Sequence, residues 1–125
     1  MKVLIVESQP DLGSVWQSHL QRCGMDVDLV RGQMGAARYM SMYSPDIIIL
    51  DLVLEEGSAL AIADYASFRH PDARVIFVTN TSFFSDGSIF SYVCNACAFV
   101  PTQTLPDDLA AMVEHFGAPG HHAPV

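Results

Sequence analysis

Two acidic residues in this sequence each close a run of four apolar ones: Glu7 follows Val3-Leu4-Ile5-Val6, and Asp51 follows Ile47-Ile48-Ile49-Leu50. Hydroxyl residues hold comparable places, Ser8 directly after Glu7, Thr79 after Val75-Ile76-Phe77-Val78, and Thr102 shortly after Val100. Short apolar runs of this kind read as buried strands of a parallel sheet. In such a sheet the functional crevice lies beyond the carboxyl ends of the strands. If the strands that end at Glu7 and Asp51 are neighbours, about 4.8 Å separates them. Two carboxylates about 5 Å apart repel by about 3 kcal/mol at an effective dielectric near 20. They must then bind a cation, share a proton or relax apart. A hard, oxygen-liganded ion such as Mg²⁺ answers the first option; the alternative is two solvated acids at strand ends.

The elements that would position these residues alternate along the chain. Strands are expected at Lys2–Val6, Asp26–Val30, Asp46–Leu50, Arg74–Val78 and Cys97–Val100, the second at an edge because Asp26 and Asp28 interrupt its apolar content. Between them, Leu12, Val15, Trp16, Leu20 and Cys23 mark a first helix stopped by Gly24, and Ala36, Ala37, Met40 and Tyr43 a second closed before Pro45. Gly57–Phe68 reads as a third helix with a loose stripe of Leu60, Ile62, Ala63 and Ala66, and Asp86–Val93 as a short fourth. Leu105, Leu109, Met112, Val113 and Phe116 follow helical spacing in a fifth, with Pro106, Asp107 and Asp108 in the first turn, where the helix dipole favours acids. This alternation predicts an α/β fold, a doubly wound parallel sheet; with strand order 2-1-3-4-5, a common order for such sheets, the strands bearing Glu7 and Asp51 are neighbours.

At 125 residues the chain suits one domain, expected over 1–116, with a flexible tail over 117–125 that holds His121 and His122. Half of it is apolar and 16% charged, which excludes a disordered or low-complexity protein. Fourteen acids against six bases give a net charge of −8, which disfavours direct contact with nucleic acid or an anionic membrane. No apolar run approaches the roughly 20 residues of a membrane helix, and a cytoplasmic location is expected. Cys94 and Cys97 have the spacing of a redox pair or half a zinc site, but they run from a helix end into a strand, so they read as small apolar side chains.

The run Lys2-Val-Leu-Ile-Val-Glu7 with Pro10-Asp11, then Pro45-Asp46-Ile-Ile-Ile-Leu-Asp51-Leu-Val-Leu54 with Gly57-Ser58, then Arg74-Val-Ile-Phe-Val-Thr79 and Ala98-Phe99-Val100-Pro101 resembles the receiver domain of bacterial two-component response regulators. The resemblance covers about residues 1–116 and implies a flavodoxin-like (βα)5 fold. It further implies that Asp51 accepts a phosphoryl group, and that Glu7, Asp51 and the carbonyl of Val53 hold Mg²⁺, with Ser8 as a further candidate ligand. By the same resemblance Thr79 hydrogen-bonds the phosphoryl group. Phe99 then reports that event to the face made by the fourth helix, fifth strand and fifth helix; the alternative for Phe99 is a core aromatic.

Two departures from the family pattern bear on the chemistry. Ser8 stands where a second acid is usual, which predicts weaker Mg²⁺ binding, and Thr102 stands where a lysine normally pairs with the phosphoryl group. Lys2 is the only lysine in the chain. Charge-assisted hydrogen bonds contribute about 1.5–3 kcal/mol, so the loss predicts switching weakened about tenfold to a hundredfold. Glu55 and Glu56 add negative charge near Asp51, unless they form only a solvated loop.

The function that follows is a stand-alone receiver domain in phosphorelay signalling, not an enzyme. It would take its phosphoryl group from a sensor histidine kinase or phosphotransfer protein and act through protein contacts. Phe83, Phe84, Ile89, Phe90 and Tyr92 would lie in the contact surface, and a homodimer through the fourth and fifth helices is compatible with the family. The alternative is a pseudo-receiver, the same fold serving as a phosphorylation-independent interaction module. A flavin carrier is disfavoured, because Glu7-Ser8-Gln9-Pro10-Asp11 lacks the glycines that cradle a phosphate.

Overall fold

In the apolar runs every side chain is buried, on both faces of the strand, and this selects a sheet covered on two sides. In the computed structural model, which describes residues 1–79 and 96–117, Val3–Val6 and Ile47–Leu50 are fully buried. The strands are β1 (Lys2–Val6), β2 (Asp26–Val30), β3 (Ile47–Asp51), β4 (Arg74–Thr79) and β5 (Ala96–Pro101), and the helices are α1 (Pro10–Arg22), α2 (Gln33–Met42), α3 (Ala59–Arg69) and α4 (Pro106–Gly117). All strand pairs are parallel, in the order β2-β1-β3-β4-β5. The expected α/β architecture and strand order are thus present, with β2 at an edge as its aspartates suggested.

Alternation along each strand divides the core in two. Leu4, Val6, Ile48, Leu50, Val75 and Phe77 face one way and pack with Ala36, Met40, Ile62 and Ala66 of α2 and α3. Val3, Ile5, Ile47, Ile49, Ile76 and Val78 face the other way and pack with Trp16 and Leu20 of α1 and Leu109 and Val113 of α4. Each large aliphatic so buried contributes about 1.5–3 kcal/mol.

α4 corresponds to the fifth helix expected from the sequence. The expected fourth helix over Asp86–Val93 lies outside the described residues, as do Cys94, the aromatic residues from Phe83 to Tyr92 and all of the expected tail beyond Gly117. Several residues assigned to apolar stripes are in fact exposed: Val15, Cys23, Tyr43, Leu60 and Leu105. Leu12, Trp16 and Leu20 lie four apart and set the inward face of α1, so Val15, one residue earlier, is turned about 100° away. Strand boundaries also shift by about one residue, and the shift matters. Asp51 and Thr79 are the last ladder residues of β3 and β4, not the first residues of loops.

The β4–β5 pairing slips between Val75 and Ile76, which oppose Ala96 and Ala98, so Cys97 is the extra residue of a bulge. Its thiol donates to the Val75 carbonyl at 3.5 Å, and burial pushes its pKa up to about 11, as befits a packed thiol and not a reactive one. No helix among the described residues is long and apolar enough to cross a membrane.

Phe77 is fully buried and stacks on Phe99, with centroids 4.9 Å apart and planes inclined by 15°. Phe77→Ala is expected to cost about 3–5 kcal/mol. The measurement is urea unfolding, with a lower midpoint at unchanged m-value.

Candidate functional site

The register of β1 against β3 pairs Val6 with Leu50, which sets Glu7 and Asp51 side by side where the two strands end. β4 follows with Asp51 opposite Val78, so Thr79 lies one residue further along the same edge. Three polar residues are buried among those described, and they are Glu7, Ser8 and Thr79. The sequence pattern places all three at this edge, and the sheet brings them together with Asp51.

Glu7 is 1% exposed. Its Oε2 accepts the Gln9 N–H at 3.1 Å, while Oε1 is buried without a hydrogen-bond partner among the described residues. Burial first, and then the Asp51 carboxyl beside it, push the Glu7 pKa up from 4.5 to about 7. Glu7, the more buried of the two acids, therefore holds its proton more tightly than an ordinary carboxyl. Asp51 is half-buried, and its Oδ1 accepts the Val53 N–H at 2.9 Å, an Asx turn at the start of the following loop.

An orphaned carboxylate oxygen beside a second carboxylate is a site for a proton or a hard cation. The donors are all oxygen, which suits Mg²⁺. Glu7, Asp51 and the Val53 carbonyl are the groups that would hold it. No cluster of three or more His, Cys, Asp or Glu residues capable of holding a metal occurs among the described residues, so the charge available is that of two carboxylates.

Ser8 is placed differently from its neighbours. Its hydroxyl donates to the Arg31 carbonyl at 3.0 Å and accepts the Glu55 N–H at 2.9 Å. Thr102, partly buried, donates its N–H to the Thr79 carbonyl at 3.0 Å, which ties the end of β5 to the end of β4. Phe99 sits below the crevice, half-buried against Phe77 on the α2–α3 side of the sheet. Lys2 lies at the far end of β1, where its Nζ pairs with Asp26 at 2.9 Å and its N–H is taken by Asp46 Oδ2 at 2.8 Å.

Sequence reasoning missed one participant and undervalued another. Gln33 lends its side-chain oxygen to the Ser58 N–H at 2.9 Å, and Glu56 Oε1 accepts the Met34 N–H at 3.3 Å, so Glu56 caps α2 and does more than populate a solvated loop. A signal existed. α2 starts after Gly32, which has no side chain to cap it, and a helix start without its own cap needs one from elsewhere.

The arrangement defines a doubly wound α/β domain with an acidic crevice at the carboxyl edge of its sheet. A family model described as the response regulator receiver domain matches residues 3–114, and the chain belongs to that family. Receiver domains are signalling modules of two-component systems and take Mg²⁺ in their acidic pocket. Among curated relatives, the luminescence regulatory protein LuxO of Vibrio campbellii is 28% identical over 75 residues, 60% of this chain and 17% of its own length. The response regulator protein PilR of Pseudomonas aeruginosa is 30% identical over 78 residues, 62% of this chain and 18% of its own length. The match thus spans less than a fifth of these relatives.

Solved structures agree on the fold. The receiver domain of a LuxO repressor protein from Vibrio parahaemolyticus superposes with a TM-score of 0.82 at 22% identity, covering 93% of this chain and 88% of that one. The Thermotoga maritima response regulator TrrA, solved in complex with Mg²⁺ and a beryllium fluoride, gives 0.79 at 22% identity over 92% and 97%.

The raised Glu7 pKa has a sign that can be tested. The folded chain holds this proton more tightly than the unfolded one, so without metal, stability falls as pH rises from 4.5 to about 7 and levels off above. Thermal unfolding midpoints across that range should show the decline in the metal-free protein and a flattened profile in Glu7→Gln. Millimolar Mg²⁺ should raise the wild-type midpoint above pH 7 and leave that of Glu7→Gln nearly unmoved.

Proposed function

We propose that the domain receives a phosphoryl group on Asp51, in phosphorelay signalling whose output is a protein contact. The observation that carries this reading is the pair of carboxylates, Glu7 with an orphaned oxygen and Asp51 beside it, at the ends of adjacent strands and next to the Thr79 end of β4. A carboxylate oxygen of Asp51 attacks the phosphorus of a phosphohistidine. The new P–O bond forms as the P–N bond breaks, and the departing imidazole takes up a proton. Glu7 shares the cation site and does not bond to phosphorus. A bound Mg²⁺ would offset the charge of the two carboxylates and of the incoming phosphoryl oxygens. The Thr79 hydroxyl is the group on β4 that would hydrogen-bond the product, and Phe99, stacked on Phe77, can turn only if that stack opens.

The donor in this reading is a sensor histidine kinase or phosphotransfer protein. One observation favours the second reading, a pseudo-receiver that works without phosphorylation: the only lysine of the chain is committed to Asp26 at the opposite end of the sheet, and Thr102 supplies no charge in its place. Asp51 and Thr79, both at the crevice edge, favour the first.

Incubation with Mg²⁺ and acetyl phosphate, followed by intact mass measurement, is expected to add one phosphoryl group to the wild type and none to Asp51→Asn. Under conditions that label an ordinary receiver, an unmodified wild type establishes the pseudo-receiver reading instead. Thr102→Lys should slow loss of the label by about tenfold or more, since it restores a charge-assisted bond of about 1.5–3 kcal/mol.

A further inference from the structure

The loop between β3 and α3, residues 52–58, is tied to the carboxylate pair by the Val53 N–H on Asp51 Oδ1, yet most of its hydrogen bonds lead away from that pair. At Ser8, 7% exposed, a single hydroxyl oxygen joins segments arriving from three strands: Ser8 itself after β1, Arg31 after β2 and Glu55 after β3. The chemistry of the join is specific. One partner is a carbonyl that needs a donor and the other an amide that needs an acceptor, so a hydroxyl serves both, whereas a carboxylate would repel the Arg31 oxygen.

Close by in the same loop, residues 56–58 and α2 exchange caps. The Gln33 and Met34 N–H groups, which have no partner within the helix, go to the Glu56 carbonyl at 3.2 Å and Glu56 Oε1 at 3.3 Å. Gln33 Oε1 in return accepts the N–H of Ser58, the residue whose own hydroxyl caps α3 through Ala61 at 3.3 Å. The contact is close on both sides. A Cβ on Gly32 would stand 2.8 Å from the Glu56 carbonyl, and Gly57 has φ +86° with Gln33 packed against it.

We propose that Ser8 is a positioning residue that, with the exchanged caps of Glu56 and Gln33, clamps the β3–α3 loop to α2, so that the Val53 carbonyl is in place before any cation binds. The purpose of the clamp rests on the phosphoacceptor reading; its existence rests only on hydrogen bonds between protein groups, none of which involves a cation. In this chain the order that a second acidic ligand and its cation would impose on the loop is supplied by hydrogen bonds that need no cation. Ser8 thereby acts on the site through the backbone of residues 53–55.

The test is amide hydrogen exchange by NMR on the full metal-free chain. Wild type should protect the Glu55 amide without Mg²⁺. Ser8→Ala should raise exchange there by about tenfold while Ile49 in β3 keeps its protection, and Glu56→Ala should do the same at Met34. Glu56→Gln, which retains an acceptor, should leave Met34 protected. A second readout separates positioning from mere stability: the Mg²⁺ concentration that half-saturates the Val53 amide shift should rise several-fold in Glu56→Ala, although Glu56 is no ligand.

Glu55 protection that appears only with Mg²⁺, or a Mg²⁺ midpoint indifferent to Glu56→Ala, overturns the proposal. If Ser8→Ala does not fold, the Glu56 pair, on the surface, decides alone. Absence of phosphoryl labelling with the expected exchange pattern would remove the phosphoacceptor reading and leave the clamp standing.

Discussion

Glu7 and Asp51 are held side by side by the pairing of β1 with β3, and neither can withdraw without disturbing strands whose every apolar side chain is buried. The backbone thus imposes a charge conflict on the side chains. Solvent cannot relieve it at Glu7, which is buried and keeps one oxygen without a donor. The remaining remedies are a proton or a cation, and both leave the pair poised to respond to a third negative group. What surrounds the pair makes sense in these terms. The Asx turn at Val53 brings a carbonyl within the same small region, and the loop that bears it is anchored to α2.

The two sides of the crevice are unequally equipped. Toward β1 and β2 the site is built from hydrogen bonds already made, with Ser8 bridging Arg31 and Glu55. Toward β5 it has a backbone tie between Thr102 and Thr79 and a stacked pair of phenylalanines, but, among the described residues, no cationic side chain to match a dianion. Stability and responsiveness therefore reside on opposite sides of Asp51. On the proposed phosphoacceptor reading, the phosphoryl group enters between a side already held by hydrogen bonds and a side where Thr79 offers it a hydroxyl.

Much of this is legible in the residues. Continuous apolar runs mark strands buried on both faces, and the residue after each run marks the crevice, so the pattern alone groups Glu7, Asp51 and Thr79. The apolar stripes are less legible. Val15, Leu60 and Leu105 are apolar residues at or near helical spacing, but which arc of a helix faces the sheet is decided by the neighbours it packs against, such as Trp16 and Leu20 for α1. The clamp is hidden because its contacts join residues 22–47 apart in sequence, and because Ser8 and Glu56 look like a missing ligand and a surplus charge when each is judged alone. The absent cap before α2 is the visible trace.

The distribution of formal charge gives the molecule a polarity. Of its six bases, Lys2 and Arg74 open strands while Arg22 and Arg69 fall in the last turns of helices, which gathers four at the amino edge of the sheet, alongside Asp26 and Asp46. Glu7, Asp51, Glu55 and Glu56 crowd the carboxyl edge, joined by Asp11 where α1 begins and opposed there by Arg31 after β2. A chain so arranged has a long-range field that turns it before contact. An anionic ligand approaches the carboxyl edge against that field, and a cationic one is drawn toward it.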